Sequence, residues 1–420
     1  MKNGFVKDVG TLLSGNVIAQ LISMAAYLIL TRLYSPEDYG VFTIFYSYIE
    51  VLIILSTCKF EMGIVASKDN HEGTALARFA LRMNTIVSLV LLGIVTVLYF
   101  CGALPGKIQS IGLIALLIPC MVFFMGTSRI YEALYNRHRE FKQVALSQMV
   151  NSSAGALLKI LFGLSKMIST WGLPLGTVLG QMAGNLNYRL RLHKLDFPKV
   201  DRAEQRKVAK QNINFALFTA PKDFLNSFSS NLPFIWLALY FDDARVGLFS
   251  LALTFTFKPI NMLAGALENV LYVRTAEKVH QNQLVMPDIR RLILVMNAVA
   301  LPIAVLAFFV AEPIFVFVFG NQWVGCGFYV RCILPWIYVM LTTNALMFMA
   351  NIFSRQRTEF MFGVALLILR VIAILIGLWQ HNFELAIMLF GLVSATVSLC
   401  LGIWYVSLVR KHDKRVLKTV

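Results

Sequence analysis

FALFTAPKDFLNSFSSNLPFIWLALYFDDARVGLFSLALTFTFKP, residues Phe215 to Pro259, holds two apolar segments, each long enough to cross a bilayer. Each carries charge at membrane depth: Lys222 and Asp223 in the first, Lys258 in the second. A charged side chain at that depth costs at least a few kcal/mol, so it is kept mainly where it faces protein or a water-filled cavity. The rest of the chain reads as scaffold around such a cavity.

Composition sets the class. With 58% hydrophobic residues, 14% charged residues and a mean hydropathy of +0.69, the chain has more apolar surface than a soluble protein of its length could hide. It reads as an all-α integral membrane protein. The amino-terminal segment lacks a short apolar core followed by a small-residue cleavage site, so it is expected to remain as the start of a first span. The six cysteines fall mostly in apolar runs without CxxC or Cys/His spacing, which points to packing and not to a metal site or disulfide framework.

Apolar runs of about 20 residues, the length of a membrane-crossing helix, recur twelve times, from Leu12–Tyr34 and Tyr39–Met62 to Leu385–Leu408. With the amino terminus cytoplasmic, the outer connections hold only Arg32, Lys107, Lys166, Arg245 and Arg331, while Lys and Arg crowd the inner ones. That asymmetry is the positive-inside pattern and predicts both termini on the cytoplasmic side. It accounts for the net charge of +16 without nucleic acid, which would call for a basic soluble domain with aromatic platforms.

The chain also repeats itself. LTRLYSPEDYGVFTIFYS, Leu30 to Ser47, aligns with LALYFDDARVGLFSLALT, Leu237 to Thr254, and ALYNRHREF, Ala133 to Phe141, with NIFSRQRTE, Asn351 to Glu359. Both echoes keep the same sidedness after six helices, the pattern of two parallel six-helix halves with a substrate path between them. The expected organisation is a six-helix bundle over 1–190, a basic linker over 191–212 read as an amphipathic inner-surface segment, and a second six-helix bundle over 213–420. Asp242 and Asp243 align with Ser35 and Pro36, so they read as a helix start and not as a metal-binding pair. Gly172, Gly176, Gly180 and Gly184 draw a small-residue stripe suited to close helix packing.

LTRLYSPEDYGVF near the first helix, GLFSLA at the start of the eighth with Pro259 further along, and GNQWVG at Gly320 to Gly325 resemble the polysaccharide-transport family, specifically the O-antigen (Wzx-type) flippases of the multidrug, oligosaccharidyl-lipid and polysaccharide exporter superfamily. The resemblance implies two six-helix bundles around a central cationic cavity and alternating access. It also implies transfer of undecaprenyl-diphosphate-linked repeat units from the cytoplasmic to the periplasmic leaflet of the bacterial inner membrane. Its implied partners are the polyprenyl-diphosphate-linked oligosaccharide and membrane lipids, with polysaccharide polymerase and chain-length regulator proteins beside it. Export by such proteins is proposed to run on an ion gradient, with H+ or Na+ as the coupling ion and no other cofactor.

The residues suit that chemistry. Lys159, Lys222, Lys258 and Arg370 remain within helices once loop charges are set aside, and Arg32 closes the first helix. Ammonium and guanidinium groups in a wet cavity would lower the barrier for a diphosphate. Alternatively, they snorkel to an interface or pair inside the bundle. Asp223 and Glu268 are the candidate ion-coupling acids, or local structural partners. Asn226, Ser229 and Asn231 give the seventh helix a polar side for sugar hydroxyls, or interhelical hydrogen bonds. Pro221 and Pro259 are candidate hinges.

Two other classes stand against this reading. A membrane polysaccharide polymerase would need a sizeable outer loop for catalytic groups, and the outer connections are short; no Walker A loop, HExxH or nucleophile with its base occurs. A cation-coupled multidrug antiporter would favour an acidic chamber, whereas the intramembrane charges counted from the sequence are mainly basic.

Overall fold

The computed structural model describes residue 18 and residues 20–419, apart from residues 105, 110, 166–168, 196, 199 and 354, and apart from the side chains of residues 169, 262, 263, 265–270, 273, 274, 280, 418 and 419. Among the described residues the protein is helical, with no strand. The helices are α1 (Gln20–Leu33), α2 (Pro36–Thr57), α3 (Phe60–Ala66), α4 (Asn70–Phe100), α5 (Leu117–Arg137), α6 (Phe141–Ser165), α7 (Ser169–Arg191), α8 (Arg202–Gln211), α9 (Ala220–Trp236), α10 (Asp243–His280), α11 (Met286–Phe319), α12 (Cys326–Asn344), α13 (Met349–Ile352), α14 (Gln356–Trp379) and α15 (Phe383–Thr419). Eight spans among them are long and apolar enough to cross a membrane. With α1, α7, α9 and α10 they take the twelve predicted positions in order, as a multi-pass membrane fold requires.

The chain divides into two compact units, residues 1–239 and 240–420. The sequence places its organisational break earlier, in the basic linker. By contact, the seventh membrane helix, α9, belongs to the first unit, because it packs along α2. The linker is also part of that unit. Leu195, Val200, Val208 and Ala209 join a core with Phe60, Ile64, Ala75 and Leu76, and Arg78 donates to the Phe197 and Pro198 carbonyls. The second unit has its own core, in which Val285, Ile289, Phe348, Met349, Tyr405 and Val409 are buried.

The repeat appears as equivalent helix starts. Ser35 caps α2, accepting from the Asp38 amide while Asp38 accepts from the Ser35 amide; Asp242 caps α10, accepting from the Arg245 amide at 2.8 Å. The aligned echo thus marks one local event, an orphan amide satisfied where a helix begins. The second echo has a structural role in the first half. Arg137 donates to the carbonyls of Ile64, Val65 and Ser67, closing the carboxyl end of α3.

The predicted second span, Tyr39–Met62, is interrupted. Cys58 (φ 44°) and Lys59 (φ 61°) are both left-handed, which ends α2 and turns the chain into α3. Two successive non-glycine residues there are strained, by about 1–3 kcal/mol each, and persist only where surroundings hold them. Before α9 the backbone opens into a π-helical turn over Phe215–Thr219. Pro221 lacks an N–H and its ring crowds the carbonyl four residues back, so a widened turn relieves the clash. Pro259, by contrast, lies inside an uninterrupted α10.

The glycine stripe packs α7 on α6. A Cβ on Gly180 would lie 2.7 Å from the Gly155 Cα and 2.8 Å from its nitrogen. Gly180→Leu should therefore lower stability by about 1–3 kcal/mol, seen as a fall in the thermal midpoint in detergent. Gly93→Ala, where nothing lies within 4 Å of the added methyl, should leave it unchanged or slightly raised.

Candidate functional site: the polar seam of α2 and α9

Helices α2 and α9 touch through two polar rungs and an apolar contact. In the first, Lys59 Nζ sits 2.7 Å from Asp223 Oδ2, with side chains only 16% and 31% exposed. The left-handed turn at Cys58 and Lys59 aims that ammonium at α9. In the second, Asn231 donates to Glu50 Oε2 at 3.0 Å, and Ser227 donates to the Glu50 carbonyl at 2.9 Å. Beside these rungs Ile53, Ile54, Ala220 and Phe224 pack together. At about 1.5 Å of rise per residue, Asp223 and Asn231 put the rungs about 12 Å apart along α9. The seam can hold two opposite charges at one level and one carboxylate at another, with apolar side chains packed beside them.

A second polar region lies inside the first unit. Lys159 on α6 lines a cavity of about 180 Å3 with Tyr27, Tyr39, Tyr46, Asn151 and Gln181. Its ammonium lies 5.3 Å from the Phe42 ring centroid. From this cavity a hydrogen-bond chain crosses three helices: Asn151 to Gln181 at 2.7 Å, Gln181 to Ser128 at 2.6 Å, Ser128 to Asn185 at 2.7 Å, and Asn185 to the Phe124 carbonyl at 2.6 Å. Such chains join helices where hydrocarbon offers no water. The volume is below the roughly 300–1,000 Å3 of small-molecule sites, so it suits a small ion or waters and not a sugar.

The sequence candidates therefore separate. Asp223 and Asn231 lie in the seam, where Ser227 joins them, while Lys159 lies in the cavity. Lys222, Asn226 and Lys258 have exposed side chains, Ser229 is buried, and Arg32 is exposed at the end of α1. Arg370 is 2% exposed, held in the second unit between the rings of Trp336 (4.8 Å) and Phe390 (4.5 Å) and donating to Ser394 Oγ at 2.9 Å. That guanidinium is built into a core and lines none of the described cavities, which is the packing alternative, not the wet one. The side chain of Glu268 lies outside the described residues.

Two seam residues are not among the sequence candidates. Lys59 lies within the predicted span Tyr39–Met62 yet reads as a charge of the inner connection, and Glu50 stands in mid-run with only Tyr48 as a polar neighbour within two residues. The usable signal was their position within Tyr39–Met62. Glu132, which accepts from Gln148 at 3.3 Å on α5, adds a further acid. The intramembrane charge is thus less one-sided than the sequence count of basic residues implied. Among the described residues no three His, Cys, Asp or Glu side chains gather as a metal site.

Residues 29–327 match the family described as Polysaccharide biosynthesis protein, a span that contains both rungs and Lys159. The chain belongs to that family. The family resemblance read from the sequence holds at this level. Beyond it, the chain is 21% identical over 299 residues to the succinoglycan biosynthesis transport protein ExoT of Rhizobium meliloti (strain 1021), covering 70% of this chain and 58% of that protein, so it spans less than two thirds of the relative's length. Among solved structures, the lipid II flippase MurJ in an inward closed conformation has a TM-score of 0.72 at 12% identity, covering 97% of this chain and 90% of that one. An inward-facing multidrug resistance MATE family transporter of the MOP superfamily has a TM-score of 0.69 at 12% identity, covering 95% and 96%. These likenesses give this polysaccharide biosynthesis protein the fold of multi-pass membrane transporters.

Removing one seam charge leaves the other partly buried and uncountered, whereas removing both does not. Lys59→Met and Asp223→Asn should each destabilise, and the double variant should recover about 1–2 kcal/mol relative to their sum, a figure reduced for partial exposure. Strict additivity of thermal shifts would show that the pair is uncoupled.

Proposed function

We propose that this polysaccharide biosynthesis protein is a flippase for a polyprenyl-diphosphate-linked oligosaccharide, moving the sugar headgroup from the cytoplasmic to the periplasmic leaflet of the bacterial inner membrane by alternating access. The family match and the transporter fold support the class of cargo and process. The observation that carries the mechanism is the α2/α9 seam. With both termini cytoplasmic, Lys59 and Asp223 lie at its inner end. There the pair is an inner latch, closing the cytoplasmic entrance when formed and freeing Lys59 for a diphosphate when parted. Lys222 and Lys159 in the first unit, and Lys258 in the second, are the further cations this reading uses.

Asp223 and Glu50 are the coupling acids in this reading. A proton or Na+ taken by Asp223 removes the Coulomb attraction that holds Lys59, so ion binding and latch opening are one event. Glu50, held by a neutral amide and not a cation, is the acid whose charge needs least rearrangement to bind an ion. Asn226, which is exposed, gives the cargo's hydroxyls a polar partner, while Ser229 is buried and Asn231 stays with Glu50. No chemical step is required, so the protein is not an enzyme in this account, and polymerase and chain-length regulator proteins act downstream.

One observation favours a second reading as a cation-coupled drug antiporter: the acids Glu50 and Glu132 inside the first unit. The two separate in cells lacking their own flippase. Surface polysaccharide should return with the wild-type chain, and Asp223→Asn and Lys59→Ala should each reduce it about tenfold at equal membrane abundance, the size of a lost interaction of about 1.4 kcal/mol. Full export by both variants would contradict the latch. Ethidium extrusion without restored polysaccharide would favour the antiporter.

A further inference from the structure

The second unit carries a groove whose lining is unlike either region above. At one end of α11 and α15, a depression of about 780 Å3 is walled by Leu294, Val295 and Leu417 and rimmed by Arg290, Arg291, Arg410 and Lys414. Arg410 also borders a deeper recess of about 310 Å3 between α11, α12 and α15, where Leu399, Gly402 and Ile403 form the wall. The four basic side chains are exposed, and among the described residues no carboxylate pairs with any of them. The one acid at the rim, Asp413, is occupied. It is buried, accepts from the Met286 amide at 2.8 Å and the Val285 amide at 3.1 Å, and lies 3.0 Å from His412 Nδ1. Its hydrogen bonds are spent on the amino end of α11, and the rim keeps four cations against this one carboxylate.

From Arg410 to Leu399 the rise along α15 is about 17 Å. That is close to half of a hydrocarbon core about 30 Å thick, the depth reached by one leaflet's acyl chains. Leu294, Val295 and Leu417, at 61%, 56% and 65% exposed, are apolar surface beside four cations. A soluble anion satisfies only the rim and a neutral lipid only the wall.

We propose that this groove is a resident binding site for an anionic phospholipid, phosphate at Arg290, Arg291, Arg410 and Lys414, one acyl chain along α15. Basic pockets between membrane helices hold anionic headgroups in this way. Every lining residue belongs to one compact unit, so the site does not depend on the flippase reading. A transported headgroup, which must leave this end of the molecule, is the poorer occupant.

The test is native mass spectrometry of the full-length protein with dioleoylphosphatidylglycerol against dioleoylphosphatidylcholine. The wild type should retain the anionic lipid about tenfold better, a preference that falls with added salt. Arg290→Gln, Arg291→Gln, Arg410→Gln and Lys414→Gln combined should abolish it. Arg206→Gln with Lys207→Gln on α8 should leave it, and unchanged helicity and thermal midpoint separate lost binding from lost folding. Shortening the chains to octanoyl should weaken retention if the recess takes a tail. Equal retention of both lipids, survival of the preference in the quadruple variant, or competition by inorganic phosphate at concentrations matching the lipid would overturn the proposal. Displacement by an equal concentration of polyprenyl diphosphate would overturn it in favour of the carrier lipid.

Discussion

A charge in hydrocarbon must be met by something, and in the first unit Lys59 and Asp223 meet each other. Water is absent from the bilayer core, so each such group needs a partner, a cavity or a route to the interface. The pair requires two strained backbone residues to aim it and a widened turn below Pro221 to bring α9 alongside. Those local costs are tolerated because both helices are otherwise well satisfied. Ser35 caps one, and Asn231 ties the other to Glu50. The contact is a place where cation binding, anion binding and helix separation act on the same two side chains.

Three of the basic residues that the sequence places in one class, Arg370, Lys159 and Lys222, have three different fates, and hydrocarbon explains each. Arg370 cannot reach water, so it is sandwiched by two aromatic faces and a hydroxyl. Lys159 keeps a small polar cavity. Lys222 stays exposed beside the paired Asp223. A guanidinium's flat, weakly hydrated surface suits stacking, while an ammonium, compact and strongly hydrated, suits a wet pocket.

Much of the fold was legible because it is written in short-range physics. Run length gave the twelve membrane positions, the acidic turn of each repeat gave the helix starts at Pro36 and Asp243, and the glycine spacing gave the α6/α7 contact. The seam was only half legible. Asp223 and Asn231 stand out within a polar run, but Glu50 and Lys59 become partners only when two helices distant in sequence lie side by side. The broken second span was hidden because Cys58 and Lys59 are not residues that ordinarily announce a left-handed turn. The fate of Arg370 likewise depends on Trp336 and Phe390, supplied by two other helices.

The central claim is that α2 and α9 must part during each transport cycle. Cysteines placed at Ile54 and Ala220, apolar contacts of α2 with α9 that belong to neither polar rung, and in a chain with Cys58→Ser, can be joined by a short bifunctional thiol cross-linker. The account predicts that cross-linked protein stops exporting polysaccharide while the uncross-linked pair and each single cysteine continue. Undiminished export by fully cross-linked protein would contradict it.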